Sequence, residues 1–413
     1  MNRLTRWTIA AMLALAPGAA MASDAEDLAA LVRANSWPVA AEASGLSGPG
    51  AAKILGWSGE AQFFLLGENH GNAGIARFAT AVSRSLGPQG YRYTAVEADP
   101  LGVGIMSRQI RSGGKQGFAA WLAQDQRQRS IPFYVWSEEA DFIVASLARG
   151  PVWGLDQSFI GATHTHLDAI AAGTRSPAVR AMAQKLAAEA RANVLGFLGS
   201  VDIARLKALR AAMPRNEDAA TATLADQLIE SAGIYGPFTN GSGSAYVANL
   251  RRETMMKTLF MANFRAAMGR DGKPPKVLLK FGANHLARGL SPTHVPSFGS
   301  FLAENALGTL GKPVFNLRIM CGPGTLQTLF DNTAYDCAAD EFAPVAAAFK
   351  PFLQASGDTL IDLRPLRDHP GLWKDWPQDA KDIVWSYDAV VIVGASGGSH
   401  FLAIPPPLPS KPQ

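Results

Sequence analysis

The chain has 413 residues, of which 48% are hydrophobic and 17% are charged, and its 38 Lys and Arg nearly balance 34 Asp and Glu. A formal charge of +4 without a clustered Lys/Arg stripe argues against a nucleic-acid-binding protein. The sequence also contains no P-loop and no GxGxxG motif, so nucleotide binding is unsupported.

The first residues have the pattern of a secretory signal. Arg3 and Arg6 precede an apolar run over 9–16, and small residues at 20–22 suit cleavage before Ser23. We therefore expect a signal peptide over 1–22, a periplasmic or secreted location, and a mature charge of +2, because two of the 38 basic residues are removed. The run is shorter than the roughly 20 apolar residues that a membrane span needs, and no other segment approaches that length.

The rest of the chain alternates short apolar runs with helical patterns. A helix is predicted over 73–86, where Gly87 and Pro88 stop it, and another over 246–268. The Ala-rich stretch over about 168–250 has a helical pattern and is longer than a normal crossover connection between two strands. We therefore interpret it as a helical insertion and expect it to cap or line a site. The pattern indicates one α/β domain over 23–404, with a mostly parallel central sheet flanked by helices, and a Pro-rich disordered tail over 405–413. The predicted strands are 62–67, 91–96, 151–156, 276–281, 313–319, 359–363 and 387–393.

Residues able to do chemistry follow four of these strands. Glu68 and His70 follow the first strand, Glu97 the second, Asp156 the third, and His285 the fourth. In an open α/β sheet the ligand lies beyond the carboxyl ends of the strands, so these positions are predicted to converge on one site.

Each of these residues also has a simpler interpretation. Glu68 and His70 are typical of a general base with its orienting acid, or of two metal ligands, but His70 is equally consistent with a helix cap. Glu97 is either functional or paired with a buried base such as Arg252. Asp156 is weaker, because an Asp after a strand often caps the next helix.

The second Gly-x-x-His motif, 282–285, repeats the first and so favours a shared site. Arg251 and Arg252 lie on the helix that leads to it, and an arginine there suits a substrate carboxylate or an oxyanion. One of these two arginines is expected to be a surface charge.

Three further segments receive less weight. His164 and His166 are two apart on a predicted helix and so point away from each other, which favours a solvated surface over a metal pair. His400 is interpreted as a loop histidine. Ser396 lacks the strand-to-helix context of a nucleophile elbow.

Cys321 and Cys337 are the only cysteines. In an oxidising compartment they are predicted to form one disulfide around 15 intervening residues. The chain-entropy estimate for such a loop is about 3 kcal/mol.

Four motifs in this order carry a family resemblance: Leu-Leu-Gly-Glu-Asn-His-Gly after the first strand, Ala-Val-Glu after the second, Arg-Arg-Glu-Thr-Met-Met on the late helix, and Phe-Gly-Ala-Asn-His-Leu-Ala-Arg after the next strand. Over about residues 60–395 the chain resembles the superfamily that joins erythromycin esterases, ChaN-type haem-uptake lipoproteins and Tiki/TraB proteins. The esterase branch implies a histidine that acts on water without metal. The ChaN branch implies haem binding, and the Tiki branch implies metal-dependent proteolysis. Glu68 and His70 stand two apart, as in ChaN-like members, whereas the chain length and the strand 387–393 look more like the esterases.

The leading hypothesis is an exported hydrolase of an ester or lactone that requires no cofactor and takes a small-molecule substrate. His70 would act as general base, Glu68 or Glu97 would orient it, and Arg252 with His285 would stabilise the oxyanion, with Asp156 also in the substrate-binding set. One alternative is a Tiki-like metal-dependent hydrolase with His70, His285 and Glu97 as ligands. The other is a ChaN-like protein that binds haem or metal without catalysis.

Overall fold

A computed structural model describes residues 17–330, 332–339 and 343–406. Its centre is a nine-stranded sheet with the order β2-β1-β10-β11-β7-β3-β6-β4-β5, and β8 and β9 form a separate pair. The strands are β1 (Ser36–Glu42), β2 (Gly45–Ser47), β3 (Phe63–Glu68), β4 (Tyr93–Val96), β5 (Val152–Gly154), β6 (Val277–Gly282), β7 (Val314–Cys321), β8 (Thr325–Gln327), β9 (Ala334–Asp336), β10 (Asp358–Asp362) and β11 (Ala389–Val393).

Helices cover both faces of the sheet. They are α1 (Pro17–Ala34), α2 (Pro49–Glu60), α3 (Ala73–Leu86), α4 (Pro100–Leu122), α5 (Ser137–Arg149), α6 (Thr163–Gly173), α7 (Pro177–Ala192), α8 (Phe197–Ser200), α9 (Ile203–Ala211), α10 (Ala219–Thr239), α11 (Ala245–Asp271), α12 (Ala283–Leu286), α13 (Phe298–Leu310), α14 (Ala343–Phe349) and α15 (Gln378–Ser386).

The predicted α/β class is confirmed. The neighbours from β11 to β5 are all parallel, and β3 and β6 are buried along their whole length. Successive side chains of β3 enter different cores, with Phe64 and Leu66 on one face and Phe63 and Leu65 on the other. A strand covered on both faces must be apolar throughout, which explains the unbroken apolar run in the sequence.

One side of the sheet was not predicted. β10 is antiparallel to β11, β1 is antiparallel to β10, and β2 is antiparallel to β1. An apolar run predicts a strand but not its direction, because both kinds of neighbour bury the same side chains.

The predicted insertion is helical. It spans the end of α6, then α7 to α10 and the start of α11, and its apolar residues, among them Val179, Leu186 and Leu228, join the core on the α3 face. The helix predicted over 246–268 is part of α11.

The two ends of the chain are only partly described. Residues 1–16 of the predicted signal segment lie outside the described residues, and 17–22 belong to α1. No helix within the described ranges is long and apolar enough to cross a membrane. Of the predicted tail, Pro405 is buried and the carbonyl of Pro406 accepts a hydrogen bond from Arg129, while 407–413 lie outside the described residues.

Candidate functional site

Three adjacent parallel strands bring the predicted residues to one edge of the sheet. In the register of β3 and β6, Glu68 lies opposite Gly282, and in that of β4 and β6, Val96 lies opposite Lys280. Glu97 follows Val96 directly, so Glu68, Glu97 and Gly282 meet at the carboxyl ends of their strands.

Five side chains at this edge form a row in which acids and imidazoles alternate: Glu68, His70, Glu97, His285 and Glu253. We call this row the carboxylate–histidine network. His70 Nδ1 lies 2.9 Å from Glu68 Oε1, and His70 Nε2 lies 3.3 Å from Glu97 Oε2. His285 Nε2 lies 3.3 Å from Glu97 Oε1, and His285 Nδ1 lies 2.6 Å from Glu253 Oε1. Glu97 is therefore shared by both histidines, and each histidine has a second acid of its own.

Tight backbone packing positions Glu97 and His70. The Gly282 N–H donates to Glu97 Oε2 at 2.6 Å. A Cβ at Gly282 would lie 2.8 Å from His70 Nε2 and 3.1 Å from Glu97 Oε2. Only a glycine leaves room there for both side chains.

The turn that carries His70 is held locally. Gly71 has a φ of 91°, a conformation that glycine adopts without strain, and Asn72 caps α3 by accepting from the Ile75 N–H. Asn69 accepts a hydrogen bond of 2.7 Å from Arg318. The helix cap is thus Asn72, and His70 is free to face the network.

Arg252 and Asp156 flank the network. Arg252 donates to Glu97 at 2.8 Å and to the two carboxylate oxygens of Asp156 at 2.9 and 2.5 Å. Asp156 also accepts from the Gln157 N–H at 2.8 Å, so it caps its own turn while holding Arg252. Arg251 is a surface charge paired with Glu230, as expected for one of the two arginines.

A buried cation lies behind the network. Lys280 donates to Glu68 at 2.5 Å and to Glu139 at 2.7 Å, and all three side chains are at most 1% exposed. Sequence reasoning missed Lys280, Glu139 and Glu253. A lysine inside the apolar run 277–281 was a usable signal, because a buried charge requires a partner.

The electrostatics leave both histidines positively charged at neutral pH. Burial opposes the charge on His70, but its hydrogen bonds to Glu68 and Glu97 outweigh burial and raise its pKa to about 9. Burial and Arg252 oppose the charge on His285, yet Glu97 and Glu253 raise its pKa to about 9. Burial alone would raise the pKa of Glu97, but His285 and His70 hold it well below its usual range.

The other histidines lie apart from the network. The predicted solvated surface for His164 and His166 is wrong, because both are 1% exposed under the helices that cover α6. His166 pairs with Asp99 at 3.1 Å and with Ser158 at 2.8 Å. His400 is an exposed loop residue that pairs with Glu138.

The two cysteines form the predicted disulfide between the end of β7 and the residue after β9. Ser396 donates to Asn72 and is not in an elbow.

The donor set of the network does not fit the metal ligands that the sequence suggested. Glu97 already accepts from the Gly282 N–H and Arg252, and each histidine faces an acid through both ring nitrogens. Within the described ranges, no three His, Cys, Asp or Glu side chains form a set that could hold a metal ion.

Both histidines of the network are partly open to solvent, with the His70 side chain 22% exposed and that of His285 12% exposed. Two cavities lie elsewhere. One of about 430 Å³ borders α10 and α11 and is lined by residues such as Leu250 and Met255. The other, of about 310 Å³, lies at the opposite edge of the sheet near Arg364 and Phe315. Neither cavity touches the five network residues, so we place the site by its chemistry.

Comparisons with known proteins agree with this architecture. No known family model and no curated protein sequence matches the chain. Among solved structures, a mutant of the erythromycin esterase EreC in its open conformation aligns with 89% of this chain and 100% of its own, at 14% identity and a TM-score of 0.60. A Bacillus cereus protein covers 92% of this chain and 99% of its own, at 14% identity and a TM-score of 0.58.

Two further structures are less similar. A succinoglycan biosynthesis protein covers 92% of this chain and 99% of its own, at 13% identity and a TM-score of 0.54. A haem-binding ChaN of Campylobacter jejuni covers 69% of this chain and 91% of its own, at 13% identity and a TM-score of 0.31. The chain therefore shares its overall fold with the solved structure of the erythromycin esterase EreC mutant.

Proposed function

We propose that this protein is an exported hydrolase that activates water with His70 and acts on an ester or lactone. The observation that carries the proposal is the sharing of Glu97 by two histidines, each of which also contacts a separate acid. In such a network one imidazole can be protonated while the other is neutral, so the site can supply a general acid and a general base at the same time.

The active form is the one in which one of the two histidines is protonated to an imidazolium and the other is neutral. Because both rings share Glu97, their protons leave in two macroscopic steps rather than independently. After the first step, one imidazole is neutral and the other remains an imidazolium.

In this form His70 is the base. Glu68 holds the proton on Nδ1, and Nε2, whose 3.3 Å contact with Glu97 is the longer of its two acid contacts, exchanges that contact for water and takes the water's proton while the water oxygen attacks the acyl carbon. His285, still protonated and supported by Glu253, donates to the developing oxyanion with Arg252 nearby. His70 then passes its proton to the leaving alcohol, which balances the reaction.

The proposed substrate class rests on the fold. The fold is that of a structure described as an erythromycin esterase, which favours a lactone or another ester of a small molecule.

The first experiment measures hydrolysis of activated esters and macrocyclic lactones against pH. We expect kcat/KM to rise as the first proton leaves the pair, below pH about 9, and to fall as the second leaves above it. His70→Ala should abolish turnover, whereas His400→Ala, an exposed histidine with its own acid partner, should not. Equal activity in both variants contradicts the proposal.

The second experiment adds a chelator to the purified protein. We expect full activity to remain. Loss of activity that Mn²⁺ or Zn²⁺ restores would replace the proposal with metal-dependent hydrolysis. No turnover on an ester, amide and peptide panel, combined with tight haem uptake, would replace it with the carrier function.

A further inference from the structure

Phe133 covers the face of the histidine that the proposed function uses as its base. The ring centroids of Phe133 and His70 are 3.6 Å apart and the planes differ by 10°, so the rings are stacked. Glu68 and Glu97 hold the two nitrogens at the edge of the His70 ring. The imidazole is thus fixed at its edge by acids and on its face by a phenyl ring.

The backbone of Phe133 is unfavourable. Its φ is 65°, in the left-handed region that a bulky side chain rarely adopts. The segment 131–136 is otherwise rich in large apolar side chains, and Ile131, Tyr134 and Trp136 are buried. A strained backbone conformation of this kind persists only where the surrounding packing holds it in place, and such conformations are concentrated at functional sites.

A second segment clamps this loop in place. The Ser137 N–H donates to the His400 carbonyl at 2.7 Å, and the Leu402 N–H donates to the Val135 carbonyl at 2.9 Å. Trp136 and Phe401 form an isolated antiparallel bridge, and their ring centroids are 6.1 Å apart. These contacts hold the residues that directly follow Phe133, and so fix its strained backbone against His70.

We propose that Phe133 is a positioning residue for His70: it fixes the plane of the imidazole and stabilises the imidazolium through its π face. The inference rests on the proposed function, in which His70 gains a proton from water and then gives it to the leaving group. A ring that stays in one plane keeps Nε2 aimed at the same point in both protonation states. The aromatic face favours the charged state, because a cation is attracted by the ring quadrupole.

The test replaces the ring while keeping the apolar bulk. In Phe133→Leu, NMR titration of ring-labelled histidines should show His70 losing its proton about half a pH unit lower, a roughly threefold weaker proton affinity. The His285 titration should move less, because Phe133 stacks on His70 and His285 is linked to His70 only through Glu97. His70→Gln assigns the signal by its disappearance.

Two further variants separate positioning from folding. Phe133→Gly removes the ring but suits the positive φ, so it should melt at a higher temperature than Phe133→Ala while showing the same shift of the His70 titration. Phe159→Leu, which loses a ring stacked on Phe330 outside the network, should leave His70 unchanged.

The activity readout is the pH profile. With an ester substrate, Phe133→Leu should shift the rising limb of kcat/KM by the same half pH unit and lower kcat more than it raises KM. A His70 titration identical to that of the wild type and of Phe159→Leu would overturn the inference. The titration needs no substrate, so it decides about Phe133 even if no hydrolase activity is found.

Discussion

The segments 67–71 and 282–286 place a histidine three residues after a glycine, yet they build their halves of the site differently. His70 lies in the turn after β3 and takes its own acid, Glu68, from the last residue of that strand, two positions earlier. His285 lies in the short helix α12 and takes its acid, Glu253, from α11, 32 residues earlier. Similar motifs therefore produced one local pair and one that depends on helix packing.

The two halves also differ in what lies behind them. Glu68 is shared with Lys280 and, through it, with Glu139. Glu253 pairs with His285 alone, through Oε1. In both acids, Glu68 and Glu253, Oε2 is buried with no partner among the described atoms. The first half is thus tied into the buried charges of the sheet, whereas the second half is tied to a helix. This difference predicts separable effects on activity and stability.

The largest effect should come from removing each histidine. His70→Ala should lower kcat by about 10³-fold, since general-base catalysis typically contributes 10² to 10⁴. His285→Ala should lower it by about 10²-fold, the usual cost of one oxyanion donor. Steady-state kinetics on one ester measures both. A larger loss for His285 would reverse the assigned roles.

Removing the acids should separate stability from chemistry. Glu68→Gln should reduce the free energy of unfolding by about 3 kcal/mol, because it leaves the buried Lys280 with one partner. Glu253→Gln should cost about 1 kcal/mol, because only one hydrogen bond changes. Urea unfolding at neutral pH gives both values. Adding Lys280→Gln to Glu68→Gln should recover part of the loss, and equal costs for the two acids would contradict the distinction.

Alkaline pH should reduce the free energy of unfolding through both histidines. The folded pKa of about 9 for each histidine lies above its ordinary value of 6.5, so each stabilises the fold fully below pH 6.5 and loses that contribution as pH rises through 9. The loss is up to about 3 kcal/mol for each histidine. Unfolding free energies measured from pH 6 to 10 should therefore fall, and the fall should be smaller in His285→Gln. A flat profile would show that the histidines are not charged in the folded protein.

The glycines that begin each motif should differ in whether their replacement affects activity or stability. Gly282→Ala places a methyl group 2.8 Å from His70 Nε2, and displacing the base should lower kcat/KM by about 10²-fold. Gly67→Ala instead meets the Tyr387 ring at 2.9 Å, so it should cost about 1 to 3 kcal/mol of stability with a smaller effect on activity. Kinetics and melting curves on the matched pair test this. The same loss of activity in both variants would mean that Gly282 acts only through folding.

Much of the fold was predictable from local patterns. The helix predicted over 73–86 matches α3, and the strands that carry the site end within two residues of their predicted ends. The antiparallel side of the sheet was not predictable, because side-chain burial is the same for either strand direction. The burial of His164 and His166 was missed because the helical pattern of α6 alone does not show that other helices cover both of its faces.

The sequence by itself determined which residues reach the carboxyl edge, because apolar strands of a parallel sheet end there and Glu68, His70, Glu97 and His285 follow such strands. Only the tertiary structure decided how they pair. Glu253 pairs with His285, Glu139 pairs with Lys280, and the Phe133 ring stacks on His70. In each case the two residues are far apart in sequence. The physical reason is that a buried charge must find a partner in space, and neither the spacing nor the composition of a chain records which distant residue the packing brings within 3 Å.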